Sequence, residues 1–267
     1  MTSLRIATWN INSVRLRLPL IDKLLKKNPV DVLCLQETKV ADAEFPHNDV
    51  KKLGFEHTAI NGQKGYHGVA VLSRVPLEKI QAQAFCEKGD ARHIRVTLPG
   101  AIELHNFYVP AGGDIADPDE NEKFAHKLQF LDEMEALFAK MKTKKTARRI
   151  VVGDLNIAPF EHDVWNHKQL LDVVSHTPVE TDKLKAIYAS HDWIDVTRSI
   201  VPLDKKAYSW WSYRSADWET ADKGRRLDHF WISPALKGSV RDHKILREVR
   251  GWERPSDHVP IVTTIEV

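Results

Sequence analysis

Short apolar runs rich in Val and Ile recur along the chain, bounded by Gly, Pro, Asn or Asp. They predict strands at residues 4–9, 32–36, 55–60, 68–73, 92–98, 102–109, 149–153, 193–196, 227–232, 240–246 and 260–266. Two longer stretches change period. Over 13–27, Val14, Leu18, Ile21 and Leu25 fall on one helical stripe. Over 121–142, Phe124, Leu128, Leu131 and Met134 do the same, with Leu137 and Met141 beside them. Asp119 and Glu122 predict a capping box at the start of this second helix. Shorter helices are expected at 44–53, 164–174 and 181–189. Strands outnumber helices and many are joined by short turns, so the sheets should be mixed rather than purely parallel. A β-sandwich with helices packed outside accommodates this pattern.

Polar residues gather beside four of these apolar runs. Asn10 and Asn12 follow the first, and Glu37 ends the second after Gln36. Asp154 and Asn156 follow the run 149–153, and Asp257-His258 precedes the last. Strand ends and the loops after them are where α/β folds gather catalytic groups. Carboxylates, amides and one His are hard ligands that suit Mg²⁺ or Mn²⁺ rather than zinc. Metal-assisted phosphoester chemistry fits that set.

Each motif also has a plainer reading. Glu37 alone could cap a turn, and Gly153-Asp154-Leu155-Asn156 could be an Asx turn after a strand. In the chemical reading, Asp154 takes a proton from an attacking water that Asn156 holds. His258 can donate to a phosphoryl oxygen, with Asp257 orienting it or reaching the metal. Asp228, followed by apolar residues, is a buried carboxylate candidate; it could instead pair with Arg225 or Arg226. Tyr108 ends a strand and could be an ordinary core tyrosine. The aromatic run from Tyr208 to Arg214, with Trp218 nearby, reads as core packing or as a surface that stacks on sugars and bases.

Composition narrows the class. At 267 residues and 42% hydrophobic content, the chain can form one large domain, residues 1–267, with no Gly/Ser or Pro-rich linker and no repeat. No secretory signal is expected at its start, and no apolar run is long enough to span a bilayer. Cys34 and Cys86 both lie in apolar stretches and read as buried free thiols of a cytoplasmic protein. The net charge of +2 leans only weakly toward a polyanionic partner. Six basic residues fall between Lys140 and Arg149. They lie a strand length from Asp154, on the order of 13–17 Å at ~3.3 Å per residue, so they belong on the opposite face.

Taken in order, the motifs form a constellation. They are Trp9-Asn10-Ile11-Asn12, Leu35-Gln36-Glu37-Thr38-Lys39, Gly65-Tyr66-His67-Gly68-Val69-Ala70 and Asn106-Phe107-Tyr108-Val109-Pro110. Gly153-Asp154-Leu155-Asn156-Ile157-Ala158-Pro159, Trp210-Trp211-Ser212-Tyr213-Arg214, Arg226-Leu227-Asp228 and Ser256-Asp257-His258-Val259-Pro260 follow. From Ile6 to the C-terminus this series resembles the exonuclease III family of AP endonucleases, within the endonuclease/exonuclease/phosphatase superfamily. Gly-Asp-x-Asn and Ser-Asp-His mark only the superfamily; the other motifs narrow it to the DNA-repair branch.

The resemblance implies a four-layer α/β sandwich: two mixed β-sheets face to face, helices outside, and the site at one end. It implies a monomer that hydrolyses the phosphodiester 5′ to an abasic site in duplex DNA, with 3′–5′ exonuclease and 3′-end-cleaning activity. By position, Glu37 looks like the principal ligand of Mg²⁺ (or Mn²⁺), with Asn10 and Asp257 helping. One or two ions fit, a second lying among Asp154, Asn156 and His258. Asp154 resembles the base and Asn156 the residue that positions water. Tyr108 and His258 resemble the groups on the scissile phosphate, with Asp228 orienting His258. Asn12, Lys39 and Arg92 would contact the substrate, and Trp210 and Leu227 would line the pocket for a flipped-out sugar.

Two places depart from that pattern. Residues 111–114 read Ala-Gly-Gly-Asp where some relatives carry a residue that probes the duplex, and Arg225 stands where some carry a pocket tryptophan. Both bear on the balance between abasic-site cleavage and 3′-exonuclease action. The rival expectations are a mainly 3′–5′ exonuclease, a phosphatase of the same superfamily, and a non-catalytic DNA-binding scaffold.

Overall fold

The computed structural model describes residues 3–142 and 146–267; Lys144 and Lys145 of the basic run lie outside the described residues. One sheet contains β1 (Ser3–Asn10), β2 (Val32–Gln36), β3 (His57–Asn61), β4 (Val69–Ser73), β13 (Val240–Ile245) and β14 (Ile261–Glu266). Its order is β13-β14-β1-β2-β4-β3. The second contains β5 (Glu78–Ala82), β6 (His93–Leu98), β7 (Ile102–Tyr108), β8 (Arg149–Asp154), β9 (Ile194–Asp195) and β12 (Asp228–Ile232). Its order is β5-β6-β7-β8-β12-β9. A two-stranded ribbon, β10 (Trp210–Trp211) with β11 (Gly224–Arg225), lies beside them. In each six-stranded sheet one parallel pair, β1 with β2 and β7 with β8, sits among antiparallel neighbours. Both sheets are mixed, as expected.

Alternation of side chains builds the layers. Along β1, Leu4 and Ile6 join Val32, Val71, Val96, Ile150 and Phe230 in the core between the sheets. Ala7 and Trp9 point the other way, against Val14, Ile21 and Leu24 of α1 (Val14–Lys27) and Val50 of α2 (His47–Lys52). On the far side, Phe107, Val151 and Trp231 pack on Phe130, Met134 and Phe138 of α3 (Glu122–Met141) and on Leu184 and Ile187 of α5 (Pro178–His191). The result is helix, sheet, sheet, helix: the four-layer sandwich.

Several elements differ from the sequence reading for identifiable reasons. Strand β5 was not anticipated, because all five of its residues are exposed at a sheet edge and leave no apolar alternation. The expected helix at 164–174 shrinks to α4 (His167–Leu170). Helix α5 is longer than expected because Thr177 and Glu180 form a capping box and Pro178 opens its first turn. The box expected from Asp119 and Glu122 does not form; Asn121 caps α3 by accepting from the Lys123 amide. The buried stripe of α3 is rotated onto Phe124, Lys127, Phe130, Leu131, Met134 and Phe138. Lys127 thus lies in the core layer, where its ammonium meets Glu180. Cys34 and Cys86 are buried free thiols. Among the described residues no helix is long and apolar enough to cross a membrane.

Strand β8 carries the tightest steric constraint. Gly153 has φ +137°, and a Cβ there would stand 1.9 Å from the Phe107 carbonyl oxygen. Only glycine fits against Phe107, its partner across this parallel pair. Gly153→Ala is expected to destabilise the protein by about 2–4 kcal/mol, read as a lower urea midpoint. A midpoint within error of the parent would show that β7 and β8 can separate without loss.

Candidate active site

The chain ends of the parallel strands converge. Asn10 is level with Gln36 across β1 and β2, and Tyr108 is level with Asp154 across β7 and β8. Asp228 opens β12 opposite Asp154. Asn10, Gln36, Tyr108, Asp154 and Asp228 share the alternation phase of the inter-sheet core. The stripe that is apolar along most of each strand therefore turns polar at one end of the sandwich. The segment 256–258 closes that end: the Ser256 hydroxyl donates to the Asn10 carbonyl at 2.7 Å and accepts from the His258 amide at 3.2 Å.

Asp154 is at the centre. It is 1% exposed. Its Oδ1 accepts from the Asn156 amide at 2.9 Å, and its Oδ2 accepts from Asn10 Nδ2 at 2.9 Å and Asn156 Nδ2 at 3.2 Å. His258 Nε2 stands 3.6 Å from the same Oδ2, while His258 Nδ1 bonds Asp228 Oδ2 at 2.8 Å. The imidazole is thus held between two carboxylates. Asp228 does not pair with Arg225 or Arg226, because Arg226 is taken by Asp163 and Asp195. Two serines missed in the sequence support this geometry. Ser256 is one, and Ser209 Oγ, which accepts from the Leu227 and Asp228 amides, is the other.

Glu37 forms the adjoining wall. Its Oε1 accepts from Asn10 Nδ2 and the Tyr108 hydroxyl, both at 2.9 Å, and its Oε2 pairs with Lys39 at 2.8 Å. Lys39 also donates to Asn12 Oδ1 at 2.6 Å, and Asn12 Nδ2 donates to Asp257 Oδ1 at 3.1 Å. Asp257 Oδ2 accepts from Trp210 Nε1 at 3.0 Å. Left-handed backbone at Asn12 (φ 46°), Glu37 (φ 51°), Lys39 (φ 53°) and Asn156 (φ 53°) aims these side chains inward. Glu37, Tyr108, Asp154, Asn156, Asp257 and His258 border a cavity of about 520 Å³ that also has Trp210, Leu227, Val174 and Arg225 in its walls; Asn10, Asn12 and Lys39 stand behind that lining. A separate hollow of about 310 Å³ beside Tyr208, Trp211 and His243 contains none of these groups.

Arg92 sits elsewhere than expected. Its side chain is buried behind Tyr108, with its guanidinium 4.9 Å from the ring, donating to the Tyr108 carbonyl and paired with Asp90. It therefore supports Tyr108 from behind and is absent from the cavity walls. Lys127, also unforeseen, supports the loops. It is fully buried, pairs with Glu180, and donates to the Asn156 carbonyl at 2.8 Å and the Ala111 carbonyl at 3.3 Å. A lysine on the apolar stripe of α3 was the available signal.

The electrostatics follow from crowding. Burial raises the pKa of Asp154 to about 7; His258 opposes that shift and Asp228 and Glu37 add to it. Burial alone would lower His258, but Asp228 and Asp154 outweigh it and raise His258 to about 10, so the ring stays charged. For Glu37, burial works upward, yet Lys39, Asn10 and His258 hold it below the usual carboxylate range. Burial and the nearby Glu37 keep the Tyr108 hydroxyl well above its ordinary value, so it is a neutral donor. Asp154, Asp228 and His258 offer ligand atoms within 4.8 Å of one another. Asp228 Oδ1 is buried with no hydrogen-bond partner among the described residues. Surplus negative charge, mainly oxygen donors and an orphaned carboxylate oxygen fit a hard divalent cation.

This crowding has a measurable sign. A carboxyl raised from 3.8 to about 7 favours folding below pH 3.8, and that advantage is lost as pH rises through 7. Without divalent metal, the stability of Asp154→Asn relative to the parent is expected to grow by on the order of 2–3 kcal/mol between pH 4.5 and 7.5. Parallel pH profiles in urea titrations would refute this.

Comparison with known proteins agrees with the geometry. The endonuclease/exonuclease/phosphatase family profile matches residues 7–258. The chain is 31% identical to exodeoxyribonuclease III of Haemophilus influenzae over 97% of this chain and 98% of that protein. It superimposes on an AP endonuclease from Archaeoglobus fulgidus with a TM-score of 0.90 at 32% identity, covering 99% of this chain and 100% of that one. A Neisseria 3′ phosphatase bound to a product DNA hairpin gives 0.90 at 29% identity, over 99% and 100%. With its acidic cluster at the sandwich end and these full-length relatives, the chain belongs to the endonuclease/exonuclease/phosphatase family, on its exodeoxyribonuclease III branch.

Proposed function

We propose that this protein is a Mg²⁺-dependent DNA-repair phosphodiesterase. It cleaves duplex DNA 5′ to abasic sites and also works at 3′ ends, as a cytoplasmic monomer. The observation that carries this reading is the chain Asp228–His258–Asp154, set against Glu37 and Tyr108 around one cavity. A charged imidazole and a carboxylate able to take a proton near neutral pH face the same space.

Glu37, Asn10 and Asp257 would hold the ion, with Asp154 and Asn156 as a second set; His258, kept charged, has no lone pair to offer it. Mg²⁺, when bound, supplies positive charge to the phosphate. The chain's own groups do the rest. Asp154 takes the proton of a water that attacks phosphorus in line. Both amide hydrogens of Asn156 are engaged, by Val109 O and Asp154 Oδ2, so Asn156 holds that water through its Oδ1. His258, kept charged by Asp228, and the neutral Tyr108 hydroxyl donate to the non-bridging oxygens as their charge grows. The bond from phosphorus to the 3′ oxygen breaks, and that oxygen ends as a hydroxyl. Asn12 and Lys39, linked to each other and to Asp257 and Glu37, contact the DNA backbone beside the cavity, while Trp210 and Leu227 receive the flipped-out sugar.

One feature favours a second reading, in which 3′-end processing dominates and abasic cleavage is weak. Residues 111–114 offer no large side chain beside the cavity, so little can wedge into the duplex.

A duplex with one central abasic analogue, beside an intact control, separates the two readings. A single Mg²⁺-dependent cut at the lesion, abolished by EDTA, is expected; a 3′ ladder on both duplexes without a lesion cut would make the second reading the correct one. Asp154→Asn should lower turnover by about 10²–10⁴-fold while DNA affinity in gel shifts is kept. Retained turnover would remove Asp154 from the base role.

A further inference from the structure

One wall of the active-site cavity holds a cation with no counter-ion among the described residues. Arg225 is part-buried between the active-site cavity and a neighbouring hollow of about 390 Å³. Its guanidinium lies 5.5 Å from the Trp210 ring centroid. Nη1 donates to the Val174 carbonyl at 2.9 Å and to Ser175 Oγ at 2.6 Å. Nε is buried without a partner, and among the described residues Nη2 has no hydrogen bond and no carboxylate pairs with the group. The nearby Glu180 is already engaged by Lys127, the Ser175 amide and the Thr177 amide. Arg214 lines both hollows as well, with no side-chain hydrogen bond or ion pair among the described residues.

A desolvated guanidinium with neutral acceptors on one nitrogen is costly unless an anion completes it. A purely structural strut for the loop at Val174 would need Nη1 alone. The planar fork and the aromatic face behind it suit a carboxylate or phosphate. The same cavity is lined by the phosphodiesterase groups Glu37, Tyr108, Asp154 and His258. A substrate filling the cavity would therefore meet those groups at one phosphorus and Arg225 beyond it.

We infer that Arg225, assisted by Arg214, forms an anion subsite that selects DNA carrying a second negative charge on the side of the scissile phosphorus away from the 3′ oxygen. This rests on the phosphodiesterase reading above and names the substrate class of that site. The charge has two sources: an acid that blocks a 3′ terminus, or the phosphate that follows a lesion in a continuous strand. In either, water adds to phosphorus and the bond to the 3′ oxygen breaks. The DNA keeps a 3′ hydroxyl, and the phosphate departs on the fragment that Arg225 holds.

Two matched pairs of duplexes test the subsite. The terminal pair ends in 3′-phosphoglycolate or its uncharged glycolamide. The internal pair carries an abasic analogue followed by a phosphodiester or an uncharged methylphosphonate. The wild-type enzyme is expected to cleave the charged member of at least one pair with fivefold or higher kcat/KM, chiefly through KM. The pair that shows the preference identifies the source of the charge. Arg225→Met should reduce that preference to less than half its wild-type value, and Arg225→Lys should retain more of it than Arg225→Met. Preferences below fivefold in both pairs, or one surviving in Arg225→Met, would overturn the subsite and leave the nuclease reading standing. The wild-type comparison needs no variant, so misfolding cannot mask it. Failure to cleave any of the four duplexes would overturn the nuclease reading and the subsite with it.

Discussion

Everything at this site depends on the two-residue period of a β-strand in a two-sheet sandwich. Every second side chain enters a dry layer between the sheets, where a polar group needs a partner. Along β1, β2, β7, β8 and β12 that phase is mostly apolar and turns polar at one end of the sandwich, at Asn10, Gln36, Asn106, Tyr108, Asp154 and Asp228. Gln36 shows how tightly the change is managed. Its amide donates to Thr8 Oγ1 and Asn106 Oδ1, while Asn106 donates to two carbonyls across the sheet gap. This belt joins the two sheets immediately beneath the carboxylates. A register slip of one residue in β8 would send Asp154 toward α3 and empty the site.

The carboxylates are held close by one amide and two charged side chains. Asn10 bridges Glu37 and Asp154 with one amide nitrogen. His258 is the charged group between Asp154 and Asp228, and Lys39 is the one beside Glu37. Elsewhere the fold closes several buried charges in pairs: Asp163 with Arg226 and Arg198, Glu180 with Lys127. The contrast is between charges closed off inside the fold and charges that border a cavity.

Much of this was legible in the sequence because strand ends and chemistry coincide. The apolar runs located the inter-sheet core, and the polar residues closing them were the ones brought together, from Asn10 to His258. What failed was whatever local pattern does not encode. Strand β5 has no buried face to reveal it. Arg92 carries the right charge for a phosphate contact but is turned behind Tyr108 by Asp90, two residues earlier in a loop. Ser209 and Ser256 act through single hydroxyls on backbone amides, a role their neighbours in sequence do not announce. The rotated stripe of α3 reflects tertiary demand: Lys127 replaces an expected apolar contact because Glu180 lies opposite.

That lysine also changes what kind of walls the cavity has. Lys127 grips carbonyls at Ala111 and Asn156, and Glu180 grips amides at Ser175 and Thr177. Three connections far apart in sequence are thereby moored to one buried pair between α3 and α5. Loops are ordinarily the first parts of a protein to open, independently and often. Here none can swing out without exposing an ammonium or a carboxylate stripped of its mate. Their lifetime is that of the helical layer beneath them, and the cavity behaves as a mould whose shape precedes its contents.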